Sequence, residues 1–154
     1  MKGNAALLKT LNGLLARELT VISQYIVHAE VCENWGYDKL HGMIRSRAIT
    51  EMKHAEALIA RIIFLEGIPI VSKLNDMHIG AEVPKMMAND LRAEMDAVKL
   101  YNAGIAQAVE VGDNATRELL ESILKDEDDH VDKIEEQRDQ IEQMGLPLYL
   151  ASMK

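Results

Sequence analysis

The chain has 154 residues, 48% of them apolar and 27% charged, which is the composition of one globular domain over residues 1–154 with a real core to bury. A formal net charge of −8 argues against nucleic acid as the main partner and suits a surface that attracts cations. The single cysteine, Cys32, excludes an internal disulfide and any cysteine-based zinc or rubredoxin-type site, and it fits a cytoplasmic protein.

No apolar run approaches the roughly 20 residues of a membrane span, and Met1-Lys2-Gly3-Asn4 leads into an amphipathic pattern, so neither a membrane segment nor a signal peptide is expected. Over residues 5–34, Leu11, Leu14, Leu15, Ile22, Tyr25, Ala29 and Cys32 recur at three- and four-residue steps, which predicts a first helix. Glu18 interrupts this stripe and is therefore expected to point into the core. Residues 30–36, with Trp35 as a packed turn residue, read as the turn. A second helix is predicted over residues 39–66, with Leu40, Ile44, Arg47, Glu51, His54, Leu58, Ile62 and Leu65 on one face, capped by Gly67 and stopped by Pro69. Ile49, Met52, Ile59 and Ile63 form another strip about 100° round, so this helix is expected to meet a second subunit on its outer side.

Residues 68–81 show no strong period, and a link of that length is expected to cross from one end of a bundle to the other. Pro84 suits the first turn of a third helix carrying Met87, Leu91, Glu94, Met95, Val98, Tyr101, Ile105 and Val109. Gly112 breaks it, and Asp113 is the expected N-cap of a fourth helix with Leu119, Leu120, Ile123, Glu127, His130, Ile134 and Ile141. Met144-Gly145 ends that helix, and Pro147 opens a short apolar tail. The expected fold is all-α: a four-helix bundle with one long crossover and a short fifth C-terminal helix.

Two segments carry the chemistry. Glu51-Met52-Lys53-His54 and Glu127-Asp128-Asp129-His130 are both Glu-x-x-His, and residues three apart share a helix face. The two copies are seventy-six residues apart, and so are Glu18 and Glu94, and Tyr25 and Tyr101. By this half-repeat His54 and His130 are expected to be equivalent. Four carboxylates buried together repel and are costly to desolvate unless divalent cations sit among them. Hard oxygen ligands with two imidazoles favour iron or manganese over a structural zinc. Glu51 and Glu127, each sharing a helix with a terminal histidine, are the natural bridges, and Glu18 and Glu94 close one metal each.

Tyr25, seven residues beyond Glu18, is a candidate to bond a ligand or pass an electron. Cys32 reads as core filler. His28, His41 and His78 have no repeat partner and read as surface or cavity histidines. The acidic runs 126–129 and 135–136 read as solvated faces, apart from Glu127.

The chain resembles the bacterioferritins, the haem-binding ferritin-like proteins, along essentially its whole length. The resemblance rests on Glu51-Met52-Lys53-His54-Ala55, Phe64-Leu65-Glu66-Gly67-Ile68-Pro69 and Arg117-Glu118-Leu119-Leu120-Glu121. It implies a ferritin-like bundle assembling from dimers into a hollow twenty-four-subunit shell. It implies a ferroxidase centre in each subunit, where two Fe(II) are oxidised by O₂ or H₂O₂ and passed to a ferric mineral. Glu18, Glu51 and His54 would hold one iron, Glu94, Glu127 and His130 the other, with Glu51 and Glu127 bridging. It further implies haem b at a two-fold interface with Met52 of each subunit as axial ligand, and a ferredoxin as electron donor for iron release. Ser46 and Thr50 stand where some members carry His and Asp, so no auxiliary inner-surface iron site is expected.

Two other functions use related scaffolds. One is peroxide scavenging by a rubrerythrin- or manganese catalase-like enzyme, and the absence of paired cysteines counts against a complete rubrerythrin. The other is a DNA-protecting cage, opposed by the acidic charge and the lack of a basic tail.

Overall fold

The computed structural model describes residues 1–154 and contains five helices and no strand: α1 (Ala5–Asn34), α2 (Asp38–Phe64), α3 (Val83–Glu110), α4 (Asn114–Met144) and α5 (Leu146–Ser152). Asn4 starts α1 by accepting from the Leu7 N–H. The helix spans the residues expected, and the turn after it, expected over residues 30–36, is confined to Trp35–Tyr37. Gly36 takes φ +83° there, and Trp35 lies edge-on to the Tyr37 ring at 6.3 Å. Pro84 sits in the first turn of α3, and Asp113 caps α4 through the Thr116 N–H, both as expected.

The end of α2 differs from expectation. Glu66, not Gly67, takes the left-handed conformation, with φ +60°. The Gly67 N–H then reaches back to Ile62 O at 2.9 Å, closing the last turn. A Cβ at 67 would lie 2.7 Å from Leu8 Cδ2 and 3.0 Å from Ile62 Cγ2, so a larger residue there would require both side chains to shift. The amino terminus pairs with Glu66 at 3.2 Å and anchors this corner.

The crossover link has no regular structure, yet its backbone is accounted for. Asn12, Thr20, Gln24 and His28 stand at eight- and four-residue steps along one side of α1. Their side chains accept from the N–H groups of Ile70, Asn75, His78 and Gly80 at 2.8–3.0 Å. The link therefore runs alongside α1 from near its start to near its end, which is the crossing that its length implied. α3 then returns antiparallel to α1, so that Glu94 meets Tyr25, and Tyr101 meets Glu18.

The apolar core is split in two. One cluster gathers Val21, Tyr25, Cys32, Leu40, Ile44 and Met86 with Tyr149 of α5; the other gathers Leu11, Leu15, Leu58, Ile62, Tyr101 and Leu120. Each fully buried Leu or Ile contributes roughly 1.5–3 kcal/mol. Those two clusters hold the four helices around a band of buried polar groups that could not organise itself. The outer strip of α2 is on the surface: Met52 is 46% and Ile63 59% exposed. No helix is long and apolar enough to cross a membrane.

Candidate metal centre

The polar band is where the half-repeat converges. α1 supplies Glu18, α2 supplies Glu51 and His54, α3 supplies Glu94, and α4 supplies Glu127 and His130. All four glutamates are wholly buried, and both histidines nearly so. Their ligand atoms form two overlapping groups, Glu18–Glu51–His54–Glu127 and Glu51–Glu94–Glu127–His130, each with its atoms within 4.8 Å of one another. Glu51 and Glu127 belong to both groups. Glu94 Oε2 and Glu127 Oε1 are buried with no well-aligned hydrogen-bond donor, their nearest cationic neighbours being Arg17 Nη2 at 3.4 Å and His54 Nδ1 at 3.0 Å, which leaves lone pairs for a cation. The donor set fits two divalent metal ions.

Tyrosines support the cage from both halves. Tyr25 donates to Glu94 at 2.5 Å, and Tyr101 donates to Glu18. Burial and the adjoining carboxylate charge push both phenols well above their ordinary value, so they stay protonated donors.

The histidines are not equivalent. His54 Nδ1 faces the cage, 2.9 Å from Glu51 and 3.0 Å from Glu127, while its Nε2 meets Asp126 Oδ2 at 2.7 Å. A carboxylate behind a ligand imidazole fixes its tautomer and raises its basicity. His130 Nδ1 faces Glu51 at 3.2 Å and Glu94 at 3.4 Å. The repeat position of Asp126 is Thr50, whose hydroxyl instead donates to Ser46 O at 3.3 Å. Asp126, 52% exposed, was expected to be merely solvated. Ser46 and Thr50 line a cavity of about 280 Å³ beside His130, with Asp129 and Lys133.

Arg17 is the residue that the sequence reading missed. It is buried, and its Nη1 lies 2.7 Å from Glu127, 3.3 Å from both Glu18 oxygens and 3.4 Å from Glu51; its Nη2 lies 3.4 Å from Glu94. One guanidinium cannot neutralise four carboxylates, so they divide. Burial would raise Glu94, but Arg17 and the His130 hydrogen bond hold it well below the usual carboxylate range. Burial and the Glu18 charge push Glu51 up. Burial, opposed by His54 and Arg17, pushes Glu127 up to about 10.

His28 also departs from expectation. It is fully buried, with Nδ1 2.9 Å from Asp90 and Nε2 accepting from Gly80. Gln24 and Arg47 bond the same Asp90 at 2.8 and 2.9 Å, and the Arg47 guanidinium lies over the Tyr25 ring at 4.8 Å. This network ties the crossover link to the tyrosine that holds Glu94. His41 is half-buried on Ala29 O, His78 is exposed, and Cys32 is core, as expected. Met52 adjoins Glu51 in the chain but points outward.

The ferritin-like domain family matches residues 8–144. A bacterioferritin of Rhodobacter capsulatus is 42% identical over 145 residues, covering 94% of this chain and 90% of that one. Bacterioferritins of Mycobacterium tuberculosis (34% identical, 98% of this chain, 95% of that one) and Streptomyces coelicolor (35%, 99% and 92%) match over almost the whole length. By these matches, which span nearly the whole chain, it belongs to the bacterioferritins, within the ferritin-like proteins.

Proposed function

We propose that this protein stores iron: it oxidises Fe(II) at the Glu18–Glu51–His54–Glu94–Glu127–His130 cage and deposits the product in a hollow shell of its own copies, the twenty-four-subunit assembly that the family resemblance implies. The observation that supports this reading is the sharing of Glu51 and Glu127 between two buried ligand groups, an arrangement suited to two adjacent metal ions. Two Fe(II) each give up one electron. O₂ takes both with two protons and leaves as H₂O₂, or H₂O₂ takes both with two protons and leaves as two waters. Glu51 and Glu127 would be shared by the two ions, Glu18 with His54 would hold one, and Glu94 with His130 would hold the other. Tyr25 and Tyr101 keep the two terminal carboxylates oriented, and in this reading Tyr25 would also relay an electron. A ferredoxin-class donor would return electrons for iron release.

Met52 fits a second role. Its soft thioether is exposed on an apolar strip with Ile49, Ile59 and Ile63, as a shared two-fold interface requires. Haem b would be held between Met52 of two copies. Ligated on both faces, it would supply electron transfer and not oxygen activation.

The deciding experiment is particle size with iron content after loading with Fe(II) in air. A large shell retaining many irons per subunit supports storage. A small oligomer that retains only about two overturns it in favour of a peroxide-scavenging enzyme on the same scaffold.

A further inference from the structure

Arg17 is not one of the six candidate ligands, yet its guanidinium contacts four of them. Nη1 lies within 3.4 Å of oxygens of Glu18, Glu51 and Glu127, the three carboxylates that with His54 make the first ligand group. A metal ion bound there must come within about 2.0–2.2 Å of the same oxygens. Two cations cannot share that space, and at such separations in a buried site their repulsion is strong.

Arg17 has somewhere else to go. It also lines a cleft of about 650 Å³ between α1, the crossover link and α3, together with Thr20, Asn75, His78 and Asp96. Its Nη2 already donates to Ala93 O on α3 at 3.2 Å, and its Nε has no partner holding it in place.

We propose that Arg17 is a built-in competitor for the metal cage: its guanidinium holds the carboxylates together between turnovers and withdraws into the cleft as iron enters. This rests on the ferroxidase reading of the same site. Four carboxylates balance two divalent ions without the arginine, so a metal ion must first displace the guanidinium from its carboxylates, which weakens metal binding. A guanidinium that returns opposes Fe(III) more than Fe(II) because the repulsion scales with the ion's charge. Arg17 thus makes the centre a passage that gives up its oxidised iron, not a permanent holder of it.

The test is calorimetric titration of the assembled protein with Co(II), comparing wild type, R17Q and R17K, together with a crystal structure of the wild-type Co(II) complex. R17Q is expected to bind two ions per subunit at least about tenfold more tightly than wild type. R17K, which keeps the charge, is expected to stay near wild type. The guanidinium in the Co(II) complex is expected in the cleft. Equal or weaker binding by R17Q, with two ions per subunit retained, overturns the competitor role and leaves the metal centre standing. No stoichiometric binding by wild type or R17Q overturns the metal centre itself. Should R17Q not assemble, the Co(II) complex decides: a guanidinium still hydrogen-bonded to Glu127 beside bound metal contradicts the proposal.

Discussion

The Tyr25 hydroxyl hydrogen-bonds Glu94 Oε1 at 2.5 Å across the bundle, from α1 to α3. Tyr101 returns the same bond from α3 to Glu18 on α1. The half-repeat is thus an exchange, in which each half orients the terminal carboxylate of the other. Only Tyr25 is itself braced, by Arg47 over its ring and Asp90 behind that arginine. Tyr25→Phe leaves a buried carboxylate short of a donor, at a cost of roughly 1–3 kcal/mol. The variant should lose thermal stability by that order and oxidise Fe(II) more slowly in stopped-flow. An unchanged melting curve with an unchanged rate would show that the bond does nothing.

Asp126 behind His54, with Thr50 at the matching place behind His130, makes the two metal positions unequal. Asp126→Ala should weaken metal binding at the Glu18–His54 position by about 10–100-fold, the usual cost of losing a carboxylate behind a ligand histidine. Thr50→Ala and Ser46→Ala should change binding and mineral growth little. Calorimetry should resolve one strong and one weakened step in the Asp126 variant. Two equal steps would contradict the asymmetry.

Asp113 joins α4 to α2: its carboxylate caps Thr116 and meets Arg61 at 2.9 Å. Burial works against the charge, but the Thr116 hydrogen bonds and Arg61 hold its carboxyl below the usual range. A lowered folded value means stability that is fully present above the unfolded value, about 3.9, and lost as pH falls through the folded one. Asp113→Ala should therefore cost roughly 0.5–2 kcal/mol near neutral pH and progressively less below about pH 4. Thermal melts of both proteins across that range check it, and a gap that widens on acidification would be wrong in sign.

Met52→Leu should abolish haem binding while keeping the dimer, since the packing change costs under about 1.5 kcal/mol. Met52→His should bind haem with a shifted absorption spectrum. Fe(II) oxidation should persist in both, because Met52 points away from the cage. A Leu variant that keeps haem with an unaltered spectrum would reduce Met52 to surface packing.

The six-residue cage was legible because its members recur at fixed spacing and interrupt apolar stripes, and the crossover because it lacks any period. What stayed hidden depends on contacts between distant elements. Arg17 adjoins Glu18 but has Ala93 at its repeat position, so the half-repeat does not mark it. The available signal was its place three residues after Leu14 and four before Val21, both buried. His28 has Gly104 at its repeat position, and its partners Asp90 and Gly80 lie on α3 and the link. Asp126 sits in an acidic run that solvates well by itself, and only the position of His54 turns it inward.

The central claim is that these six side chains form one two-metal oxidation centre. The most direct test is stopped-flow titration of Fe(II) under O₂ with wild type, Glu18→Ala and Glu94→Ala in their assembled form. The wild type should show a fast oxidation phase that saturates at about two Fe(II) per subunit. Either substitution should remove most of that phase without preventing assembly. Fast phases of wild-type rate and amplitude in both variants would contradict the account.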